Sequence, residues 1–332
     1  MKKEKLILAI TMFVLLTGCG GNNQPTDGFI TVDVTKSYPK KELILQDFMD
    51  VEYIPLETAD GFITQGVVMD IGQKNIIVRN QTQDGDIFIF DRNGKGIRKV
   101  NRMGQSGEEY IVYLSGSFIL DEDNDEMYIN DGIRYSFIVY DLSGNFKRKI
   151  QYKEGPFIIN AFNFDNDNIL CMEEFWPEYD VESHRNSFFL ISKQDGSMKD
   201  VEIPFEKKLA TILTKQNEEG VIVDILGPRN SLIASFKNNW IITEPSSDTV
   251  YSYLSDQTMC PLIVRTPSIQ TMNPEIFLFP GVLTDRYYFM QTVKKEADWT
   301  DRKQPTVDLV YDTQEKQIYQ YTVHNCDFSN RT

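Results

Sequence analysis

Short apolar runs alternate with turns of Asp, Asn and Gly along most of this chain. The clearest phrase is Ile87-Phe-Ile-Phe-Asp-Arg-Asn-Gly-Lys-Gly-Ile-Arg-Lys-Val100, and Phe137-Ile-Val-Tyr-Asp-Leu-Ser-Gly-Asn-Phe-Lys-Arg-Lys-Ile150 repeats it. Weaker copies run from Phe188 to Val201, Val250 to Val264 and Leu309 to Thr322. Each copy reads as an apolar strand, a tight turn and a strand carrying charge. Apolar residues run together in the inner strands, as burial on both faces requires, and alternate in the outer one. Around the second copy the pattern predicts four strands: Gly116 to Leu120, Glu126 to Asn130, Ser136 to Tyr140 and Phe146 to Ile150. The same order fits Gly66 to Val100, Phe157 to Val201, Ser231 to Val264 and Ile276 to Val323.

Self-similarity at a period of roughly 50 residues, with β content, predicts propeller blades. The fold class is all-β, a six-bladed propeller of four-stranded antiparallel blades. Five blades can be read directly. The sixth is expected to draw on Phe29 to Val34, Glu42 to Leu45 and Val51 to Glu57, which would close the ring and shelter its edges. A five-bladed ring with an N-terminal flap is the alternative.

The N-terminus carries an address. Met1-Lys-Lys-Glu-Lys5 is basic, Leu6 to Leu16 is apolar but too short to span a bilayer, and Leu16-Thr-Gly-Cys19 follows. This resembles a bacterial lipobox. The resemblance implies a signal peptide over 1–18, a lipid on Cys19, a flexible tether over 19–27 and a folded domain over 28–332. Gly20, where an Asp would favour inner-membrane retention, points to the outer membrane. The first acid after the Cys is Asp27, which favours the periplasmic face over the cell surface.

Composition narrows the partners. The formal charge is −15, and losing 1–18 removes three Lys and one Glu to leave −17. That balance argues against nucleic acid, which is bound through Lys and Arg on phosphates. Apolar content of 41% is enough for a core. Beyond Cys19 the cysteines are Cys171, Cys260 and Cys326, far apart and odd in number, so no disulfide framework or zinc spacing is legible. Cys171 and Cys260 are expected as buried thiols.

A family resemblance rests on Gly104-Gln-Ser-Gly-Glu-Glu-Tyr110, Phe118-Ile-Leu-Asp121, Tyr128-Ile-Asn-Asp131 and Ile138-Val-Tyr-Asp-Leu-Ser-Gly144. This stretch looks like an NHL-type repeat. With Val51-Glu-Tyr-Ile-Pro-Leu-Glu-Thr58 and the lipobox, the chain resembles the six-bladed β-propeller lipoproteins of Bacteroidetes-type bacteria. The resemblance implies a propeller and an envelope address; it supplies no activity.

Loop lengths separate two faces. Turns after first and third strands are short, as at 91–96, 121–125, 141–145, 165–168, 194–197 and 237–239. Connections after second and fourth strands are long, at 79–86, 101–115, 173–187, 205–230, 266–275 and 292–306. Long loops in compact domains tend to be functional, and aromatic residues and Arg anchor binding surfaces. The candidate ligand-binding residues on this face are therefore Arg102, Tyr110, Arg134, Trp176, Tyr179, His184, Arg185, Trp299 and Arg302. The alternative is that they cap the rim.

Catalytic patterns are sparse. The two His, His184 and His324, form no nucleophile–base motif and no zinc cluster. Asp121-Glu-Asp-Asn-Asp125 has spaced acids but lacks the Gly and closing Glu of a calcium loop. Asp70, Asn130, Asp131 and Glu244 are secondary candidates for a metal in a central channel. No cofactor is implied. The sequence favours a lipid-anchored envelope protein that binds a glycan, peptide or protein on its long-loop face. A metal-dependent hydrolase, lactonase-like or lyase-like enzyme with a channel site is the alternative.

Overall fold

The computed structural model describes residues 28–59, 61–82, 84–111, 118–173 and 186–328. The lipobox with Cys19, and the tether, lie outside them. The chain enters through two short strands, β1 (Ile30–Asp33) and β2 (Lys40–Ile44). Five four-stranded antiparallel blades follow. Blade I is β3 (Val67–Ile71), β4 (Asn75–Arg79), β5 (Ile87–Asp91) and β6 (Gly96–Val100). Blade II is β7 (Phe118–Asp121), β8 (Glu126–Asp131), β9 (Ser136–Asp141) and β10 (Phe146–Gln151). Blade III is β11 (Ile158–Asn163), β12 (Asn168–Glu173), β13 (Phe188–Ser192) and β14 (Met198–Asp200). A separate hairpin, β15 (Leu213–Gln216) with β16 (Ile222–Leu226), interrupts the series. Blade IV is β17 (Ile233–Phe236), β18 (Asn239–Thr243), β19 (Thr249–Tyr253) and β20 (Met259–Thr266). Blade V is β21 (Ile276–Leu283), β22 (Tyr287–Lys294), β23 (Thr306–Asp312) and β24 (Gln317–His324).

Burial follows the predicted pattern. Every residue of β8 is buried, whereas the outer β10 alternates along its first four residues. The turns between third and fourth strands are built by one carboxylate each. Asp91 accepts from the amides of Asn93 and Lys95, and Asp141 from those of Ser143 and Asn145. Both turns use a glycine at positive φ, Gly94 at 80° and Gly144 at 83°.

Apolar layers between blades form the core. Ile77 and Ile87 of blade I pack with Ile129 and Ile138 of blade II, and Tyr128 and Phe137 of blade II with Ile169 and Phe189 of blade III. Leu170 and Phe188 meet Ile242 and Tyr253 between blades III and IV, and Ile241 and Ile263 meet Met290 and Leu309 between IV and V. Polar stitches register the blades. Glu122 of blade II accepts from the amides of Gln73, Lys74 and Asn75 of blade I at 2.6–3.0 Å. Lys193 of blade III reaches Asp121 of blade II at 2.7 Å, with both side chains buried.

The N-terminal strands depart from expectation. They do not assemble a separate sheet. β1 adds in parallel to the outer edge of β20, and β2 in parallel to that of β24, so blades IV and V have five strands. The reason is edge chemistry: β20 and β24 are eight residues long and would otherwise present rows of unpaired amides and carbonyls. The sixth sector, between blades V and I, is filled by the segment that follows. Phe48 packs on Tyr287 and Phe289 of blade V, and Ile54, Leu56 and Phe62 on Phe88 and Phe90 of blade I. Pro55 meets the Gly94 turn as Gln151 of blade II meets the Gly196 turn of blade III, so 51–57 stands where a preceding blade's outer strand would. Cys171 is buried as expected, but Cys260 is half-buried and Cys326 exposed. Among the described residues no helix is long and apolar enough to cross a membrane.

Candidate functional site

Among the described residues, two depressions lie on opposite faces. On the short-turn face a cavity of about 440 Å³ is bordered by Gly72, Arg92, Glu122, Asp123 and Asn163. Two of its acids, Asp121 and Glu122, are the interblade stitches already described. On the long-loop face a smaller cavity of about 210 Å³ forms where blade III, the hairpin connection and blades IV and V meet.

The second cavity is assembled from strand ends. Asn160 is the third residue of β11, Glu173 closes β12, and Ser187 precedes β13. The chain between blades III and IV brings Lys208 to Thr211 on one side of the hairpin and Pro228 to Asn230 on the other. Glu244 follows β18, and Leu209, Leu232 and Phe279 supply an apolar wall. Lys208 Nζ lies 2.6 Å from Glu244 Oε2 and donates to Ser187 Oγ at 2.6 Å. Their side-chain exposures, 6% and 1%, mark this as a desolvated ion pair. A pair of this kind persists only if hydrogen bonds satisfy its remaining groups. Ser246 does so, donating its amide to Glu244 Oε1 at 3.1 Å while its hydroxyl accepts from the Leu209 amide at 2.8 Å. Gln270 then bonds the carbonyls of Lys207 and Ser246. The floor is thus held from four connections before any ligand arrives.

Above the floor the lining is polar and less committed. Asn160 and Thr211 make no side-chain hydrogen bond among the described residues, and Arg229 is exposed without an ion pair there. The site offers donors at its mouth, a neutralised pair below and an apolar wall. That chemistry suits recognition of a small polar molecule.

The residues expected from sequence divide into three groups. Trp176, Tyr179, His184 and Arg185 lie outside the described residues. The ends of their connection are at the cavity, where the Glu173 amide bonds the Ser187 carbonyl at 2.9 Å. Arg102, Tyr110 and Arg134 come together away from the cavity and clasp the connection between blades I and II. Tyr110 is fully buried, donates to the Gly85 carbonyl at 2.7 Å and meets Tyr140 edge-on; burial pushes its phenol up to about 12. Arg134 donates to the carbonyls of Ser106 and Glu109 at 3.0 Å, and Arg102 to that of Gly144. Trp299 and Arg302 hold the hairpin, with Lys215 over the indole at 6.0 Å and Arg302 paired to Asp224 at 2.9 Å.

The four channel candidates do not converge. Asp70 ends an inner strand toward the short-turn face and accepts from the Leu120 amide, while burial raises its pKa. Asn130 and Asp131 end β8 toward the opposite face, where Asn130 accepts from Tyr152 and Asp131 lies 3.5 Å from Arg134. Glu244 alone reaches the cavity, on Lys208. Among the described residues no three His, Cys, Asp or Glu side chains group as metal ligands. Sequence reading missed Asn160, Ser187, Lys208 and Arg229. They come from β11, from the end of the β12–β13 connection and from the two flanks of the β15–β16 hairpin, with no spacing that announces them.

Comparison with known proteins gives the following. A family model, DUF5128, described as a 6-bladed beta-propeller, matches residues 21–330. No curated protein matches the chain. Among solved structures, a protein of Bacteroides fragilis described as exported is similar at a TM-score of 0.54 and 14% identity, over 89% of this chain and 80% of that one. A DUF4221 member from Bacteroides vulgatus gives 0.49 and 12%, over 80% and 83%. A catalytically inactive virginiamycin B lyase from Staphylococcus aureus, solved with quinupristin, gives 0.38 and 12% over 69% and 62%, too distant to bear on chemistry. The first likeness concerns the fold.

Proposed function

We propose a binding role for this chain, which belongs to the DUF5128 family of six-bladed β-propellers: an exported protein, lipid-anchored at Cys19, whose long-loop face seats a small ligand or one group of a larger partner. Gly20 after the cysteine favours the outer membrane, and the distance of the first acid, Asp27, favours its periplasmic face. The lipobox supports export, and the fold is shared with a Bacteroides protein described as exported. One observation carries the binding role. The cavity on the long-loop face is prebuilt: its buried charges are satisfied internally by Lys208, Glu244, Ser187 and Ser246, and its mouth keeps uncommitted donors. Preorganisation of this kind lowers the ordering cost of binding.

Trp176 and Tyr179 belong to the connection rooted at this rim and remain proposed contacts to a partner's surface. A glycan or peptide fits the donor-rich lining better than a polyanion, given the acidic body. Channel hydrolysis would need several oxygens around one point, and the geometry does not favour it.

Ala210→Phe fills the cavity without touching the ion pair. Saturation-transfer NMR against monosaccharides, sugar acids and dipeptides should find binders to the wild type that this variant loses at unchanged thermal stability. A panel without binders, or binders indifferent to Ala210→Phe, would sink the reading.

A further inference from the structure

The lining points to a ligand class. Lys208 and Glu244 neutralise one another, and Glu173 is itself engaged. Arg229, an exposed residue of the lining, is therefore the cation left unpaired among the described residues. A guanidinium without an internal partner is a fork for a carboxylate. Around it stand groups that match hydroxyls rather than a second charge. The Asn160 amide and Thr211 hydroxyl have no partner among the described residues, and Ser187 accepts from Lys208 while keeping its own hydrogen to donate. Leu209, Leu232 and Phe279 supply an apolar wall for the C–H face of a ring. At about 210 Å³ the space falls below the roughly 300–1,000 Å³ of sites for drug-sized molecules. One ring fits where a chain of rings does not.

We propose that the cavity recognises a polyhydroxylated carboxylate, a sugar acid either free or at the end of an acidic glycan, with Arg229 reading the carboxylate and Asn160 the hydroxyls. This rests on the cavity being the ligand seat. The closing experiment separates the two ideas. Calorimetric titration of the mature chain would use D-galacturonate, D-glucuronate and D-gluconate, with D-galactose and D-glucosamine as neutral and cationic counterparts. At least one acid should bind about tenfold or more tighter than both counterparts, the gain expected of one charge-assisted contact. Arg229→Gln should bring that ratio close to one without changing thermal stability, since the side chain is exposed. Asn160→Ala should weaken the acid and the neutral sugar alike. Equal affinity for acid and neutral sugar, preference for glucosamine, or a preference that survives Arg229→Gln would overturn the inference. If none of these sugars binds while another ligand is lost in Ala210→Phe, the sugar-acid inference falls and the cavity reading stands.

Discussion

Lys208 illustrates how a charge is kept inside this fold. Its ammonium is shared between a carboxylate and a hydroxyl and lies 5.1 Å from the Phe205 ring centroid. Removing one member of such a pair leaves the other charged and unpartnered, which typically costs about 3–5 kcal/mol, whereas replacing both with apolar residues is close to neutral. Lys208→Met should therefore lower unfolding stability by about that much in urea titrations, and Lys208→Met with Glu244→Leu should recover most of it. A single variant within about 1 kcal/mol of wild type would mean that the pair is solvated and the cavity floor is not fixed. None of this is legible from neighbours in sequence. Lys208 and Glu244 belong to separate connections, and only the closure of blades III and IV brings them together. Tyr110 and Arg134 teach the complementary lesson. Their residue types suggested a recognition surface, but the same chemistry suits an internal clasp, and backbone carbonyls supplied the partners, that of Gly85 for Tyr110 and those of Gly104, Ser106 and Glu109 for Arg134.

The blade turns carry the element-scale argument. Gly196 has φ of 74°, and a methyl group there would collide with the Gln151 carbonyl of the preceding blade. Gly220, at the tip of the separate hairpin, has φ of 78° but open space around it. Both lose the positive-φ preference on substitution, roughly 1 kcal/mol. Only Gly196→Ala must also displace a neighbouring strand. It should destabilise at least twice as much as Gly220→Ala in chemical denaturation; equal losses would show that the blades are not in register contact at that turn. Sequence carried the elements well. Third strands expected near 87, 137, 188, 250 and 309 begin at Ile87, Ser136, Phe188, Thr249 and Thr306. Alternation reports local conformation faithfully, because burial on a pleated surface imposes a period of two. It does not report pairing partners. The edges chosen by β1 and β2, and the β15–β16 hairpin within what reads as a long connection, depend on contacts distant in sequence.

At the scale of the molecule, two unlike faces and an acidic body follow from one repeat. A net charge of −15 over the whole chain repels polyanions, and the proposed attachment to a membrane rests on the lipid at Cys19 rather than on basic patches. Cys19→Ala should accordingly move the protein from the membrane to the soluble fraction of fractionated cells with its thermal stability unchanged. Retention in the membrane would put the anchor elsewhere. The two parallel strands at the entrance have a consequence in time. A ribosome releases Ile30 and Lys40 early, yet their partners Ile263 and Gln320 are made more than 200 residues later. Blades I to III can consolidate as they emerge, but β1 and β2 stay unpaired until the outer strands of IV and V are made and the beginning of the chain is brought back to meet them. A truncated translation product would thus carry two orphan strands with no dock, a built-in mark of incompleteness that folding surveillance can read.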